Sequence, residues 1–209
     1  LGTLYHKVQR IRKLGAMISD QLNINKEKVE ISTSICKVDL LSDLVSEYPE
    51  LQGVLGSYFA KAQGFDEEIS LAIKEHYLPL GLNSKIPKKM TSIAVSIADK
   101  VDTLVGFFGI NEIPTSSKDP FALRRSAFGL LRIIIENDLS IQLRDLMNYS
   151  SVLYTEQRFK FSNQSTFINL LNFLRARIKN YLKEKKIRHD IIDAAIASHT
   201  SDNFVSLYK

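Results

Sequence analysis

The chain has one cysteine, Cys36, and no tryptophan among its 209 residues. A single cysteine excludes an internal disulfide framework and a zinc site built from thiolates. Any bound metal would therefore need histidine and carboxylate ligands. The histidines are few and widely separated along the sequence: His6, His76, His189 and His199.

Long apolar runs are also missing, which excludes a bilayer-spanning helix of about 20 residues, and the first residues lack the apolar block of a signal peptide. We therefore expect a soluble, cytoplasmic protein with no membrane partner. The sequence contains no glycine-rich phosphate loop, no Gly-x-Ser-x-Gly elbow and no cysteine and histidine at the spacing of a nucleophile and its base. These absences exclude several common classes of catalytic site.

Hydrophobic residues make up 44% of the chain, and they recur at helical rather than strand spacing. This pattern predicts an all-α fold with a substantial core. Both ends of the sequence lie in helical or uninterrupted patterns, from which we expect a piece of a longer protein. The formal net charge of +5 is compatible with a nucleic-acid partner, but many proteins without such a partner match it.

Apolar stripes and capping residues predict the individual helices. A first helix is expected from Leu4 to Ile18 and a second from Ile31 to Tyr48, where Pro49 ends it. Further helices are expected at 50–63, from the cap Asp66 to His76, at 93–108, after Asp119 and Pro120, from Ser140, and at 171–182. A change in composition near residues 149–163 predicts a boundary.

Two groups of carboxylates are candidate sites. On a continuous second helix, Asp39, Asp43 and Glu47 would form one ridge, which either meets a cation or basic partner or is a solvated face. Asp99 and Asp102 could ligate metal or act as acid and base, or they could form a polar face or cap a neighbouring helix. No histidine is adjacent to either group, which favours the structural interpretation.

Two other reactive side chains have structural interpretations. Cys36 is expected to be a packed thiol, because Lys37 would point ~100° away from it on a helix. His76 lies at the end of a predicted helix, where a cationic ring would interact favourably with the helix dipole.

Basic residues are more organised than acidic ones. From Arg175 to Asp190, seven Lys or Arg stand against two carboxylates, and a ridge that could track phosphates or simply be solvated is formed by Arg175, Lys179, Lys183 and Lys186. A second group comprises Lys118, Arg124 and Arg125, with Lys85, Lys88 and Lys89 on preceding segments. Its arginines could bind phosphate, or one could pair with Asp119.

Four stretches carry a resemblance to a known family: "KVDLLSDLVSEYPELQGVLG", "EHYLP", "ADKVDTLVGFFGINEIPTSSKDPFALRRSAFGLLRIIIE" and "RIKNYLKEKKIRHDIIDAAIA". In this order and spacing they resemble the middle of the bacterial glycyl-tRNA synthetase beta subunit over nearly the whole chain. The family usually has glycine at Ser116, alanine at Val38 and a glycine-rich link at 111–113, so the loop before Lys118 is expected to differ in shape.

The resemblance implies a tetrameric class II ligase that attaches glycine to tRNA(Gly). Aminoacylation, with its ATP and magnesium, would occur on the alpha subunit, so no cofactor is expected in this chain. Residues 1–150 would be a helical domain similar to the HD phosphohydrolase superfamily. Residues 151–209 would be a helical extension leading toward an anticodon-binding domain. The expected partners are the alpha subunit and tRNA(Gly).

The similarity to the HD superfamily also implies that some acidic residues derive from a former metal site. If Asp39 occupies the position of the Asp in the His-Asp pair, Val38 replaces the His, and Asp99 matches the distant Asp. A lost nitrogen ligand predicts a degenerate site without metal. Two alternatives stay open: a metal-dependent phosphohydrolase that uses Asp39, Asp99 and Asp102, and a purely architectural spacer.

Overall fold

The computed structural model describes residues 1–81, 83–115, 117–161 and 166–198, and every regular element in these ranges is helical. The predicted all-α class is confirmed. The α-helices are α1 (Leu4–Leu22), α2 (Lys26–Ile35), α3 (Asp43–Glu47), α4 (Val54–Ala62), α5 (Glu67–Glu75), α6 (Met90–Gly109), α7 (Leu123–Glu136), α8 (Leu143–Glu156), α9 (Thr166–Glu184) and α10 (His189–Ser198). Two 3₁₀ turns, Val38–Leu41 and Pro49–Leu51, flank α3. Ser116 and His199 lie outside the described residues.

Helix α6 is the centre of the fold and packs against α1, α2, α5, α7, α8 and α9. Seventeen of its twenty residues are buried, including those on its polar side. A helix that is surrounded by other helices has no solvated face, so its charged residues must find partners inside the protein. Three such residues are Asp99, Lys100 and Asp102, which are all buried.

Side-chain caps begin several helices, as their sequences predict. The Asp66 carboxylate accepts a hydrogen bond of 2.7 Å from the Glu68 amide at the start of α5. Asp119 accepts bonds of 2.8 and 3.0 Å from the amides of Leu123 and Arg124 at the start of α7. The helix begins at Leu123 after the N-cap residue Ala122, so the prediction of Asp119 as N-cap with Pro120 in the first turn is wrong by three residues. The helix after Ser140 begins at Leu143 rather than at the serine. The carboxylates of Asp66 and Asp119 satisfy amide groups that have no partner within the helix.

The prediction of one helix from Ile31 to Tyr48 is wrong. Helix α2 ends at Ile35, a 3₁₀ turn follows, and the five-residue α3 begins at Asp43. The carboxylate ridge therefore does not form, because Asp39 is buried whereas Asp43 and Glu47 are exposed. The helix expected from Glu50 begins at Val54, after Gly53 with φ of +79°.

The C-terminal part of the described chain packs on the same core as the rest. Leu174 and Ile178 of α9 are fully buried in it, and α9 contacts both α6 and α7. Helix α8 continues across residue 150. The division into 1–150 and 151–209 stays a prediction, as does the similarity to the HD superfamily. No helix in the described ranges is sufficiently long and apolar to cross a membrane.

Candidate functional site

The Asp99 carboxylate on α6 is held between two lysine ammonium groups. The Nζ atom of Lys37 lies 2.9 Å from Oδ2, and the Nζ atom of Lys7 lies 3.0 Å from Oδ1. Burial alone would raise the pKa of Asp99, but the two ammonium groups outweigh it and hold that pKa well below its usual range. Asp99 is therefore ionised and locked in an internal ion cluster.

Asp102, one turn further along α6, belongs to a second buried network. Arg10 of α1 donates from Nε to Oδ1 at 2.6 Å and from Nη2 to Oδ2 at 3.2 Å, a bidentate pair. Arg10 also donates to the Tyr154 hydroxyl at 3.0 Å and to the Gln157 side chain at 2.5 Å. This network joins α1, α6 and the end of α8, and it is the structural explanation of a carboxylate that the sequence offered as a catalytic candidate.

Asp39 caps a neighbouring helix. Its Oδ2 atom accepts hydrogen bonds from the Gly53 amide at 2.6 Å and the Gly56 amide at 3.2 Å, at the start of α4. A Cβ added at Gly56 would lie 3.1 Å from the same oxygen and 3.0 Å from the Ile73 side chain, so a larger residue there would have to displace one of them by a few tenths of an ångström. The buried Asp39 carboxylate therefore fixes the turn that replaces the predicted continuous helix.

Replacing Asp39 with alanine is expected to lower the free energy of unfolding by about 1–3 kcal/mol, because two buried amides lose their acceptor. Urea denaturation of the variant measures this loss. The matched control is Asp43→Ala, an exposed position four residues away, which should change stability by less than about 0.5 kcal/mol. Equal effects at the two positions would contradict the capping role.

The surroundings of Asp39 and Asp99 do not fit a divalent metal. Asp39 is directed to amide donors, Asp99 to ammonium groups, and the exposed Val38 offers no ligand atom. Within the part of the chain that the structure describes, no cluster of three or more His, Cys, Asp or Glu side chains could hold a metal ion. The alternative hydrolase, which requires Asp39, Asp99 and Asp102 around a metal, gains no support from these contacts.

His76 is buried beside the ion cluster of Asp99 as a neutral ring. The prediction of a cationic ring at the end of a helix is therefore wrong. Burial lowers the pKa of His76 well below its usual value, and nearby Lys37 lowers it further. Its Nδ1 atom lies 2.6 Å from the Ile73 carbonyl oxygen, to which a neutral ring can donate. His76 therefore has a structural role, as predicted, but as a neutral ring instead of a cationic one.

Cys36 and Lys100 are the other buried titratable groups of this region. Cys36 is fully buried, and burial raises the pKa of its thiol to about 12, which confirms a packed, unreactive thiol. Burial lowers the pKa of Lys100 to about 7. The Lys100 ammonium donates to the Leu78 carbonyl and to the Ser96 hydroxyl, each at 2.8 Å, so its role is to join α6 to the segment after α5.

A basic cleft of about 270 Å³ lies between α7 and α9. Arg124 and Arg125 enter it from α7 and Arg177 enters it from α9, while Glu184 is the acidic residue in its lining. Burial lowers the pKa of Arg177, and the neighbouring Arg124 guanidinium lowers it further, because two cations are held close together. The Nε atom of Arg177 is buried and has no hydrogen-bond partner among the described residues.

The contacts of the three arginines differ. Arg124 donates to the Thr115 carbonyl oxygen, and its Nη1 atom lies 4.0 Å from the Asp119 carboxylate, so the alternative in which one arginine pairs with Asp119 is met by a single ion pair at the limit of contact. Arg177 stacks on Phe173, with its guanidinium carbon 4.9 Å from the ring centre. Arg125 is exposed and also lines a second, larger cleft of about 790 Å³ that contains Lys37, Lys85 and Lys100. The two clefts therefore share a cation at their boundary.

The sequence analysis named Arg124 and Arg125 but missed Arg177. On the sequence Arg177 stood between the more regular members of a presumed ridge, and only the packing of α9 on α7 brings it to the cleft. Lys118 is exposed but does not line the cleft. The signal that could have found Arg177 is its position one residue before the buried Ile178, which places it at the edge of the packed face.

The predicted basic ridge on the tail is only partly formed. Lys179 pairs with Asp193 of α10 at 2.5 Å, and Lys186 lies beyond the end of α9 in a left-handed conformation, with φ of +62°. Arg175 is half-buried, whereas Lys183 is exposed on the helix. The predicted alignment of Arg175, Lys179, Lys183 and Lys186 on one helix is therefore wrong for Lys186.

Comparison with known proteins gives a consistent result. The model of the family described as "Glycyl-tRNA synthetase beta subunit" matches residues 1–197. The glycine–tRNA ligase beta subunit of Rhodospirillum centenum is 41% identical over 212 residues, which cover 100% of this chain and 29% of the relative. The subunit of the same name from Ruegeria sp. is 39% identical, again covering 100% and 29%. That of Haemophilus influenzae is 38% identical, covering 94% and 28%. The chain spans about three-tenths of the length of these curated relatives.

Proposed function

Because the chain belongs to the glycyl-tRNA synthetase beta subunit family, we propose that it is a noncatalytic helical unit that helps glycine–tRNA ligase to hold tRNA(Gly). In this proposal the aminoacylation reaction takes place on the alpha subunit, with ATP and magnesium. The described helices bind RNA and position the remaining parts of the beta subunit. The proposed partners are the alpha subunit and the tRNA.

The observation that supports RNA binding is the convergence of Arg124, Arg125 and Arg177 on one cleft. Guanidinium groups repel one another, and bringing them together costs free energy unless an anion is available to compensate. A phosphate group supplies such an anion and can accept two parallel N–H donors from one arginine. The buried and unpartnered Nε atom of Arg177 is a donor that a phosphate oxygen would satisfy.

The noncatalytic part of the proposal is supported by the internal contacts of the acidic residues. Asp39, Asp99 and Asp102 each have a partner that holds the chain together: amides, lysines and Arg10, respectively. A buried carboxylate that is held by amides or by cations of the same chain is not directed toward a substrate, and a general base must lie within hydrogen-bond reach of the proton that it removes. These residues therefore serve as scaffold, and the chemistry is assigned to the other subunit.

Charge reversal at the cleft is expected to weaken tRNA binding. In the complete synthetase, the double variant Arg125→Glu/Arg177→Glu should raise the dissociation constant for tRNA(Gly) about tenfold or more, since each lost phosphate contact removes favourable counterion release. Fluorescence anisotropy at several salt concentrations measures both the affinity and its salt dependence. The slope against the logarithm of salt concentration should fall by about 1 per lost contact.

The matched control is the double variant Arg12→Glu/Lys13→Glu, which makes the same charge change at two exposed ion pairs of α1. It should leave the affinity and the salt slope nearly unchanged. In aminoacylation assays the cleft variant should raise KM for tRNA more than it lowers kcat. If the cleft variant and the control bind tRNA like the unmodified enzyme, the chain is an architectural spacer.

A further inference from the structure

Large hydrophobic side chains are exposed together on the segment that follows α2. We define the apolar patch as Val38, Leu41, Leu44, Tyr48, Tyr58 and Phe59. Leu41 is 80% exposed and Tyr58 is 67% exposed. Helix α3 packs against both 3₁₀ turns, and α4 packs against the first of them, so the elements that carry these side chains are neighbours.

This exposure is not explained by the packing of the fold. Helix α3 has five residues, of which only Val45 is buried, so its other apolar side chain, Leu44, contributes little to the core. Single exposed hydrophobic residues are ordinary, but a group of six on adjacent short elements is typical of an interaction surface. Short helices are marginal by themselves, and a docked partner would stabilise them.

The charge around the apolar patch indicates the chemistry of its partner. Asp43 and Glu47 are exposed within the same segment, where Lys61 is the basic residue. Glu50 is exposed as well, but it lines the larger cleft together with Lys74 and Lys85 and is not counted with the patch. The local charge is thus negative, whereas the whole chain carries +5. Carboxylates repel nucleic-acid phosphates and anionic lipid headgroups, which leaves a protein surface with lysine or arginine as the complementary partner.

We propose that the apolar patch docks a basic amphipathic protein segment, with apolar side chains against Leu41, Leu44 and Tyr58 and with lysine or arginine against Asp43 and Glu47. Aromatic and leucine side chains supply the buried contacts, and the carboxylates set the orientation at the rim. The chain spans about three-tenths of its curated relatives, so the synthetase has ample surface outside it to provide this segment. The inference is independent of the arginine cleft, which lies on α7 and α9.

Site-specific photo-crosslinking in the complete synthetase, without tRNA, tests the docking surface. A photoreactive phenylalanine derivative replaces Leu41 in one variant and Val152 in the control. Val152 is 52% exposed on α8, outside the apolar patch. We expect Leu41 to crosslink to one segment of the synthetase that carries apolar residues flanked by lysine or arginine, and Val152 to give no such product.

The rim carboxylates provide the second arm of the experiment. The double variant Asp43→Lys/Glu47→Lys should reduce the yield of the Leu41 crosslink several-fold, and circular dichroism should show unchanged helix content because both side chains are exposed. The proposal is overturned by three results: no crosslink from Leu41, a crosslink between two copies of the patch, or a yield that charge reversal leaves unchanged. None of these results bears on tRNA binding.

Discussion

Replacing Arg10 with methionine is expected to lower the free energy of unfolding by about 3–5 kcal/mol, the usual cost of stranding a buried charge. Arg10 is 1% exposed and its partner Asp102 is fully buried. Methionine occupies much of the same volume but donates no hydrogen bonds, so the Asp102 carboxylate and the Tyr154 hydroxyl both lose a buried donor. Lys7, whose Nζ atom lies 3.1 Å from Asp102, compensates only part of the lost charge.

Urea denaturation followed by circular dichroism measures this change. The control is Arg12→Met, which removes an arginine from the same helix but breaks only the half-exposed pair with Glu30. That variant should lose less than about 1 kcal/mol, because solvent screens the pair. A similar loss in the two variants would show that the network around Asp102 adds nothing beyond an ordinary surface ion pair.

Substituting Asp99 with asparagine is expected to cost about 3–5 kcal/mol at neutral pH, because the Lys37 ammonium and that of Lys7 then share a poorly exposed site without an anion. Asparagine keeps the shape of the side chain and one acceptor oxygen. The effect therefore reports the loss of charge rather than the loss of packing. The control is Asp20→Asn, which breaks an exposed pair with Lys26 and should cost less than about 1 kcal/mol.

Acid should reduce the difference between the Asp99→Asn variant and the unmodified protein. Burial would raise the pKa of Asp99 in the folded state, but Lys37 and Lys7 lower it. In the unfolded state the same carboxyl has a pKa of about 4. Below that pH the unfolded state binds more protons, so the unmodified protein loses about 1.4 kcal/mol per pH unit from this group. The asparagine variant cannot lose this contribution. Urea titrations at neutral pH and below about pH 4 test the convergence, and a constant difference would contradict the assignment.

The helices with strong local signals could be predicted from the sequence. The stripe from Ile93 to Phe108 predicted α6, and the cap Asp66 marked the start of α5. The segment after Ile35 could not be predicted, because its apolar residues keep a helical spacing although the chain turns there. The turn depends on a tertiary contact between Asp39 and the amides of α4, which local spacing does not encode.

The candidate site shows the same division between local and tertiary information. The sequence identified Asp39, Asp99 and Asp102 as unusual carboxylates, but it could not identify Lys7, Lys37 and Arg10 as their partners. Two of these cations come from α1, more than ninety positions before the carboxylates that they neutralise. Arg177 was missed for a related reason, since its neighbours in the cleft come from another helix.

The ion cluster at Asp99 has a consequence for how the stability of this protein depends on its surroundings. A carboxylate neutralised by a bound ion is stabilised by mass action, so its contribution varies with the free concentration of that ion. Lys7 and Lys37 are covalently part of the chain and are present at fixed stoichiometry whatever the solution contains. The counterions of Asp99 are therefore part of the same chain, and the ion cluster forms in a unimolecular folding step. Chelators should not change its contribution to the free energy of unfolding.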